Sequence, residues 1–287
     1  LIDDPTMTQI TNNGKELNKN SYDIVLDYLA LGIDPEKSSI FFQSSIPEHC
    51  ELTWILSNLT PISFLERAHA YKDKVSKNIS INTGTFLYPI LMASDILMYD
   101  TDLVPIGKDQ KQHIEIARDI ATKFNDTYSK VFKLPSELIV ENRDIIPGID
   151  GQKMSKSYGN IIEIFSSEKD IKNKIMSIVT DSKSVEEPKD PEICNIFNIY
   201  KLFLSKYDEL NLRKRYLNGG VGYGLLKKEL VEVILNYFLK ARELRKELEN
   251  NMEYVNSIIQ IGTCKAREIA NKKMKIIKEV TGLMIKF

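Results

Sequence analysis

The chain is expected to fold as an α/β domain with a mainly parallel, Rossmann-like sheet, followed by an all-helical domain. Three observations carry that expectation. Over residues 15–124, short apolar runs alternate with helix-period patterns, the order that builds layered parallel units. From residue 168 onward helical periodicity recurs with almost no strand signal. The chain has 287 residues, 43% hydrophobic and 28% charged, which suits one or two ordinary packed domains.

The elements follow in order. Residues 15–31 read as a helix, because Leu17, Ile24, Val25, Tyr28 and Leu31 recur at helical intervals and Gly32 supplies a stop. Residues 39–43 read as a short strand centred on Ile40-Phe41-Phe42. Pro47 opens the next helix, through Leu59, since a first turn does not need the N–H that proline lacks. Thr60-Pro61 repeats that start signal. Residues 71–82 are polar and lysine-rich and read as a mobile connection. Residues 89–99 read as a helix, 103–106 as a strand and 110–124 as a third strong helix. In the second half, helices are expected over residues 168–179, 191–204, 209–216, 225–248, 253–260 and 265–280, broken by Gly219-Gly220 and Gly222. The expected domains are residues 1–160, residues 161–264, and a last helix over 265–287 that returns to the first domain.

Composition narrows the function classes. Thirty-nine basic against forty acidic side chains give a net charge of -1, which excludes a generally basic nucleic-acid binder but not a local basic face. Cys50, Cys194 and Cys264 are odd in number and lack metal-ligand spacing, so buried thiols in a reducing compartment are expected. No apolar run reaches membrane-spanning length.

Three stretches carry candidate chemistry. Tyr88, Met92, Asp95 and Tyr99 share one face of a helix. Asp95 on that face is either a buried carboxylate that needs a partner or a solvated residue on an amphipathic helix. A flat aromatic ligand with one N–H would supply the partner. Gly107-Lys108-Asp109-Gln110-Lys111-Gln112-His113 joins a strand end to a helix start, where open α/β sheets bind ligands and helix N–H groups favour an anion. Lys153-Met154-Ser155-Lys156-Ser157 has almost no apolar content, which suits a loop closing over polyphosphate as well as a solvated basic turn.

The pentapeptide 153–157 resembles the signature loop of class I aminoacyl-tRNA synthetases. It stands after Ile145-Ile146-Pro147-Gly148 and before Tyr158-Gly159-Asn160 and the helical domain, as in that family. The run Thr85-Phe86-Leu87-Tyr88-Pro89-Ile90-Leu91-Met92-Ala93-Ser94-Asp95-Ile96-Leu97 resembles the tryptophan-recognition helix of bacterial tryptophanyl members. The resemblance implies activation of L-tryptophan by ATP and its transfer to tRNA(Trp). By it Asp95 accepts the indole N–H, Met92, Val104 and Ile106 line the ring, and Tyr88 and Gln110 meet the amino-acid backbone. Gly107 and Asp109 fall on the ATP side, and His113 is placed near the site, although a structural histidine fits as well. Lys153, Met154, Ser155 and Lys156 would bind ATP, with Lys153, Ser155, Lys156 and Ser157 stabilising charge during transfer. Mg2+ would act through the pyrophosphate oxygens, with no protein ligand assigned to it. A cytoplasmic homodimer is implied, with the region 48–64, including Trp54, Ile55, Leu59 and Phe64, as an interface candidate. The basic residues Arg213, Lys214, Arg215, Lys227, Lys228, Lys240, Arg242, Arg245 and Lys265-Ala266-Arg267 fit an anticodon-end surface or ordinary helix surface. The family's first strand and nucleotide-binding turn are not found here, since His49, His69 and His113 stand in no such motif; the chain is expected to start after that element. The rival readings are a tyrosyl-type relative and a catalytically silent fragment that binds tRNA or protein.

Overall fold

The computed structural model describes residues 14–76, 80–107, 110–139 and 146–284, leaving aside the side chains of His69, Ala70, Asp73 and Ser157. It divides into two compact units. One comprises Leu1–Asn142 with Leu248–Phe287, the other Arg143–Glu247.

The first unit is built of helices around a small parallel sheet. Helix α1 (Gly14–Ala30) buries Val25, Leu26, Leu29 and Ala30 and ends before Gly32, whose φ of 98° is open to glycine. Helix α2 (Glu48–Ser57) follows Pro47 and buries His49, Leu52, Ile55 and Leu56. The single turn α3 (Ile62–Leu65) follows Pro61. Helix α4 (His69–Ser76) occupies part of the stretch expected to be a mobile connection; its residues 77–79 lie outside the described set. Lysine-rich composition misled there, because lysine is a good helix former on an exposed face. Helix α5 (Thr83–Leu97) starts six residues before Pro89, because Asn82 caps it by accepting the Thr85 N–H at 2.7 Å.

Strand β1 (Leu103–Pro105) pairs in parallel with β2 (Ser136–Leu138), with Val104 opposite Glu137. Helix α6 (Lys111–Thr127) lies between them in sequence, the crossover that a parallel pair requires. Its buried face is Ile114, Ile116, Ala117, Ile120, Ala121 and Phe124. β2 has only three residues, too few for an alternating signal, and sequence reading missed it. The strand expected over 39–43 is absent among the described residues. Phe42 makes a single bridge and Gln43–Ser45 forms a 3-10 turn. Ile40 and Phe41 are nonetheless buried, because that segment packs against the last helix.

That helix, α12 (Met252–Val280), is continuous where two helices were expected. Its buried positions, among them Val255, Ile258, Ile259, Gly262, Ala266, Ala270, Met274 and Ile277, keep a three-to-four spacing throughout. Lys273 is buried among them. It pairs with Asp100 at 2.6 Å and donates to the Val131 carbonyl at 3.2 Å, the partners a buried charge requires. Cys50 and Cys264 are exposed, contrary to the expectation of buried thiols, because each falls between the buried positions of its helix; Cys194 is buried.

The second unit is helical: α7 (Glu168–Met176), α8 (Asn195–Tyr200), α9 (Lys206–Asn218), α10 (Tyr223–Tyr237) and most of α11 (Leu239–Glu249). The stretch 225–248 is thus two helices, parted at Phe238, whose ring packs on Tyr237 and Phe203. Ile171, Ile175, Phe197, Tyr216, Leu226, Leu230 and Ile234 form its core. Lys189 is buried and donates to the carbonyls of Ser184, Val185 and Glu187. The unit boundary falls at Asn142 rather than at residue 160, because the lysine loop is bonded into the second unit. The C-terminal return starts at Leu248 rather than at 265, because α12 is unbroken.

Candidate active site

In the first unit, a cavity of about 370 Å³ is lined by Met92, Asp95 and Ile96 of α5, by Thr101 and the segment Leu103–Ile106, and by Gln110, His113 and Ile114. The volume lies within the ~300–1,000 Å³ usual for small-molecule sites. Five of the predicted residues, Met92, Asp95, Val104, Ile106 and Gln110, therefore meet at one wall set, and His113 joins them. Tyr88 is half-buried on α5 and does not belong to this lining. Gly107 is exposed at the end of β1, and Asp109, with Lys108, lies outside the described residues.

Among the described residues Asp95 is the one carboxylate in the lining, and its side chain is only 12% exposed. Its two oxygens are contacted by neighbours that sequence reading did not assign. Gln43 donates from Nε2 to Oδ2 at 2.7 Å. His49 Nδ1 makes a short contact with Oδ1, and its Nε2 lies 2.8 Å from the Tyr99 hydroxyl. Burial, and then the charges of Asp95 and Glu48, push the Tyr99 phenol well above its usual range. Among the described residues, one buried Glu48 oxygen has no hydrogen-bond partner. Tyr99, expected on the ligand-facing side with Tyr88, Met92 and Asp95, instead turns its hydroxyl to His49. A trace of this was legible: His49, Leu52 and Leu56 share the apolar face of α2, and a histidine on such a face needs polar partners.

The lysine loop in the second unit is built as a tight hairpin. Pro147 bridges Lys153, Met154 N–H donates to the Ile146 carbonyl at 2.8 Å, and Gly148 N–H donates to Gln152 at 2.7 Å. Gly151 turns the chain at a φ of 81°. Asn160, almost wholly buried, staples the loop from beneath. Its Oδ1 accepts the Ser155 N–H at 2.7 Å, and its Nδ2 donates to Asp150 at 2.8 Å and to the Lys153 carbonyl at 3.1 Å. The Asn160 amide, and then the Gln152 N–H, hold the Asp150 carboxyl below its usual range. Lys156 begins a 3-10 turn that ends at Gly159, and Lys174 donates to the Gly159 carbonyl at 3.1 Å. Lys153 and Lys156 are exposed, while Met154 and Ser155 are half-buried. The Ser157 side chain lies outside the described set. The backbone thus holds the two lysines at the rim of the hairpin, where they can meet an anion.

A deep carboxylate in an apolar cavity, on a unit with a parallel βαβ crossover, and a stapled Lys-Met-Ser-Lys-Ser hairpin are the parts of an amino-acid-activating enzyme. The family described as tRNA synthetases class I (W and Y) matches residues 1–239, and the chain belongs to it. Similar proteins within that family include enzymes of the tryptophan kind. The tryptophan–tRNA ligase of Fusobacterium nucleatum is 54% identical over 285 residues, covering 99% of this chain and 87% of that protein. The crystal structure of tryptophanyl-tRNA synthetase from Campylobacter jejuni, complexed with ADP and tryptophan, superposes with a TM-score of 0.91 at 49% identity, covering 98% of this chain and 88% of the other. The enzyme from Mycoplasma pneumoniae does so with a TM-score of 0.78 at 27% identity, covering 98% and 87%.

Proposed function

We propose that this chain activates L-tryptophan with ATP and transfers the tryptophanyl group to tRNA(Trp). The observation that carries the reading is Asp95, a sheltered carboxylate at the wall of a mostly apolar cavity, on a helix with the tryptophan-type sequence. An indole ring fits between Met92, Val104 and Ile106, and its N–H donates to Asp95. Gln110 and Tyr88 serve the amino and carboxylate end. In the first step a tryptophan carboxylate oxygen attacks the α-phosphorus of ATP, and the bond to the β-phosphate oxygen breaks. Tryptophanyl-adenylate and pyrophosphate result. The carboxylate is already ionised near neutral pH, so no general base is needed. What the protein supplies is alignment and fixed positive charge. Lys153 and Lys156 meet the β- and γ-phosphates as point charges, with Ser155 and Ser157 adding hydrogen bonds, while Gly107 and Asp109 serve the nucleotide side. In the second step a terminal tRNA hydroxyl takes the acyl group and AMP leaves.

Mg2+ enters with the nucleotide in this reading. Among the described residues no group of three His, Cys, Asp or Glu side chains could hold a metal. The helical unit serves the anticodon end of tRNA, and the whole works in the cytoplasm as a homodimer. Two exposed apolar side chains in the region 48–64 support that pairing: Trp54 is 70% exposed and Ile62 66%. No helix among the described residues is long and apolar enough to cross a membrane.

The test is exchange of labelled pyrophosphate into ATP. Exchange is expected with tryptophan and not with tyrosine or phenylalanine. Asp95→Ala should weaken tryptophan binding about 30-fold or more, the cost of roughly 2 kcal/mol for a lost hydrogen bond to a buried charge. Tyrosine-dependent exchange would indicate the tyrosyl relative. Tryptophan affinity unchanged in Asp95→Ala would remove Asp95 from the pocket.

A further inference from the structure

We infer that His49 and Tyr99 are positioning residues for tryptophan selection: they hold Asp95 as a fixed hydrogen-bond acceptor, so that the pocket reads a ring N–H rather than ring shape alone. The inference rests on the reading of Asp95 given above and deepens it. The carboxylate sets the direction of the first proton, and the direction of the second follows for a neutral imidazole. An ionised carboxylate can only accept, so the short contact from His49 Nδ1 to Asp95 Oδ1 requires the hydrogen on Nδ1. In the neutral ring Nε2 is then the acceptor, and the Tyr99 hydroxyl at 2.8 Å must donate to it. The chain of donors runs one way, from Tyr99 to His49 to Asp95.

Two further contacts prevent this arrangement from relaxing. Gln43 holds the other carboxylate oxygen at 2.7 Å. Beside it, Thr53 donates to the His49 carbonyl at 2.7 Å and its hydroxyl lies 3.0 Å from that of Ser94, stitching α2 to α5 next to the pair. His49 is 0% exposed, so water does not stand in for either ring partner. A carboxylate has about four acceptor sites, so contacts from Gln43 and His49 are compatible with a ligand donor as well. If Asp95 could rotate or take up a proton, it would offer a ligand a mixture of donor and acceptor, and an N–H would lose its advantage over a group that cannot donate.

The experiment compares binding of tryptophan with that of benzothienylalanine, which keeps the bicyclic shape and has sulfur in place of the N–H. Dissociation constants are measured by calorimetry on the full chain. His49→Leu is expected to reduce the preference for tryptophan about tenfold or more, about 1.4 kcal/mol of lost discrimination. His49→Asn, which restores a donor near the Nδ1 position, should keep the preference within about threefold of the parent. Tyr99→Phe preserves shape and removes only the last donor; it should lower the preference about threefold. A residue that merely fills space would weaken both ligands alike and leave their ratio unchanged. An unchanged ratio in His49→Leu, or in Tyr99→Phe if the leucine variant does not fold, overturns the inference. Asp95→Ala separates the two levels. A ratio unchanged there removes the reading of Asp95 itself. A ratio lost there but kept in the His49 and Tyr99 variants removes only the relay.

Discussion

A single buried amide illustrates what one residue does for the lysine loop. Asn160 uses its acceptor and both donor directions on the segment 150–155, and the space it fills is made by a neighbour without a side chain. A Cβ on Gly148 would lie 2.4 Å from the Asn160 amide nitrogen. Asn160→Ala leaves the Ser155 N–H and the Lys153 carbonyl to find water, so the hairpin loses its preformed shape. The expected outcome is an ATP KM raised about tenfold, with tryptophan affinity unchanged, in a steady-state exchange assay. Asp150 adds a pH dependence. Its carboxyl is held below the ordinary value of 3.8, first by the Asn160 amide, so its contribution is complete above that value and is lost as pH falls through the lower folded one. The Asn160 side-chain amide resonances should therefore shift on acidification below about pH 4, and Asp150→Asn should abolish that dependence. Persistence of the same acid shift in Asp150→Asn would assign it to another group. The pentapeptide itself was legible in the sequence. Asn160 was not, because a buried asparagine and a solvated one look alike until its partners are in place.

At the scale of elements, α12 shows how far tertiary contacts override local rules. Glycine inside a helix costs about 1 kcal/mol relative to alanine. At Gly262 the surrounding packing demands it, because a Cβ would meet the Ile40 carbonyl oxygen at 2.1 Å and its carbon at 2.9 Å. Those atoms are backbone and cannot swing aside. Gly262→Ala should therefore destabilise the first unit by about 1–3 kcal/mol despite its better helix propensity, measured by urea unfolding. A gain in stability would mean that the segment 39–42 moves away readily. The same contact explains why 39–43 looked like a strand. Its apolar centre is buried, but against a helix, and among the described residues the segment makes only the single bridge at Phe42. Helix α5 teaches the converse. Pro89 looked like a start, yet the Asn82 cap set the true start one and a half turns earlier. Capping residues were as visible as the proline, and the choice between them rested on which N–H groups were satisfied.

For the molecule as a whole, the chain leaves the first unit near Asn142 and re-enters it at Leu248. Ala266, Ala270, Met274 and Ile277 of α12 sit in the same core as Leu52, Ile90, Ala117 and Phe124. A chain ended before Met252 should therefore lose cooperative unfolding of the first unit, read as early proteolysis within residues 48–127. Equal protease resistance in the shortened chain would show that α12 is dispensable to that core. The proposed dimerisation can be tested with the chain's single tryptophan. Trp54 is exposed, so if the chain pairs through the region around it, its fluorescence should move to the blue as protein concentration rises through the dissociation constant. An emission maximum independent of concentration, alongside a sedimenting dimer, would place the interface elsewhere.

By itself the sequence determined the class of fold, the tryptophan-type helix with Asp95 on one face, and the lysine pentapeptide, because helical period, caps and short motifs are properties of neighbours along the chain. Only the tertiary structure decided what holds those parts in working form. Gln43 and His49 reach Asp95 from 52 and 46 residues upstream, Tyr99 backs His49 from one helical turn past Asp95, and Asn160 reaches back beneath the loop. Such partners are chosen by burial, which forces every donor and acceptor to be satisfied by whatever the fold brings near, and sequence spacing carries no record of that.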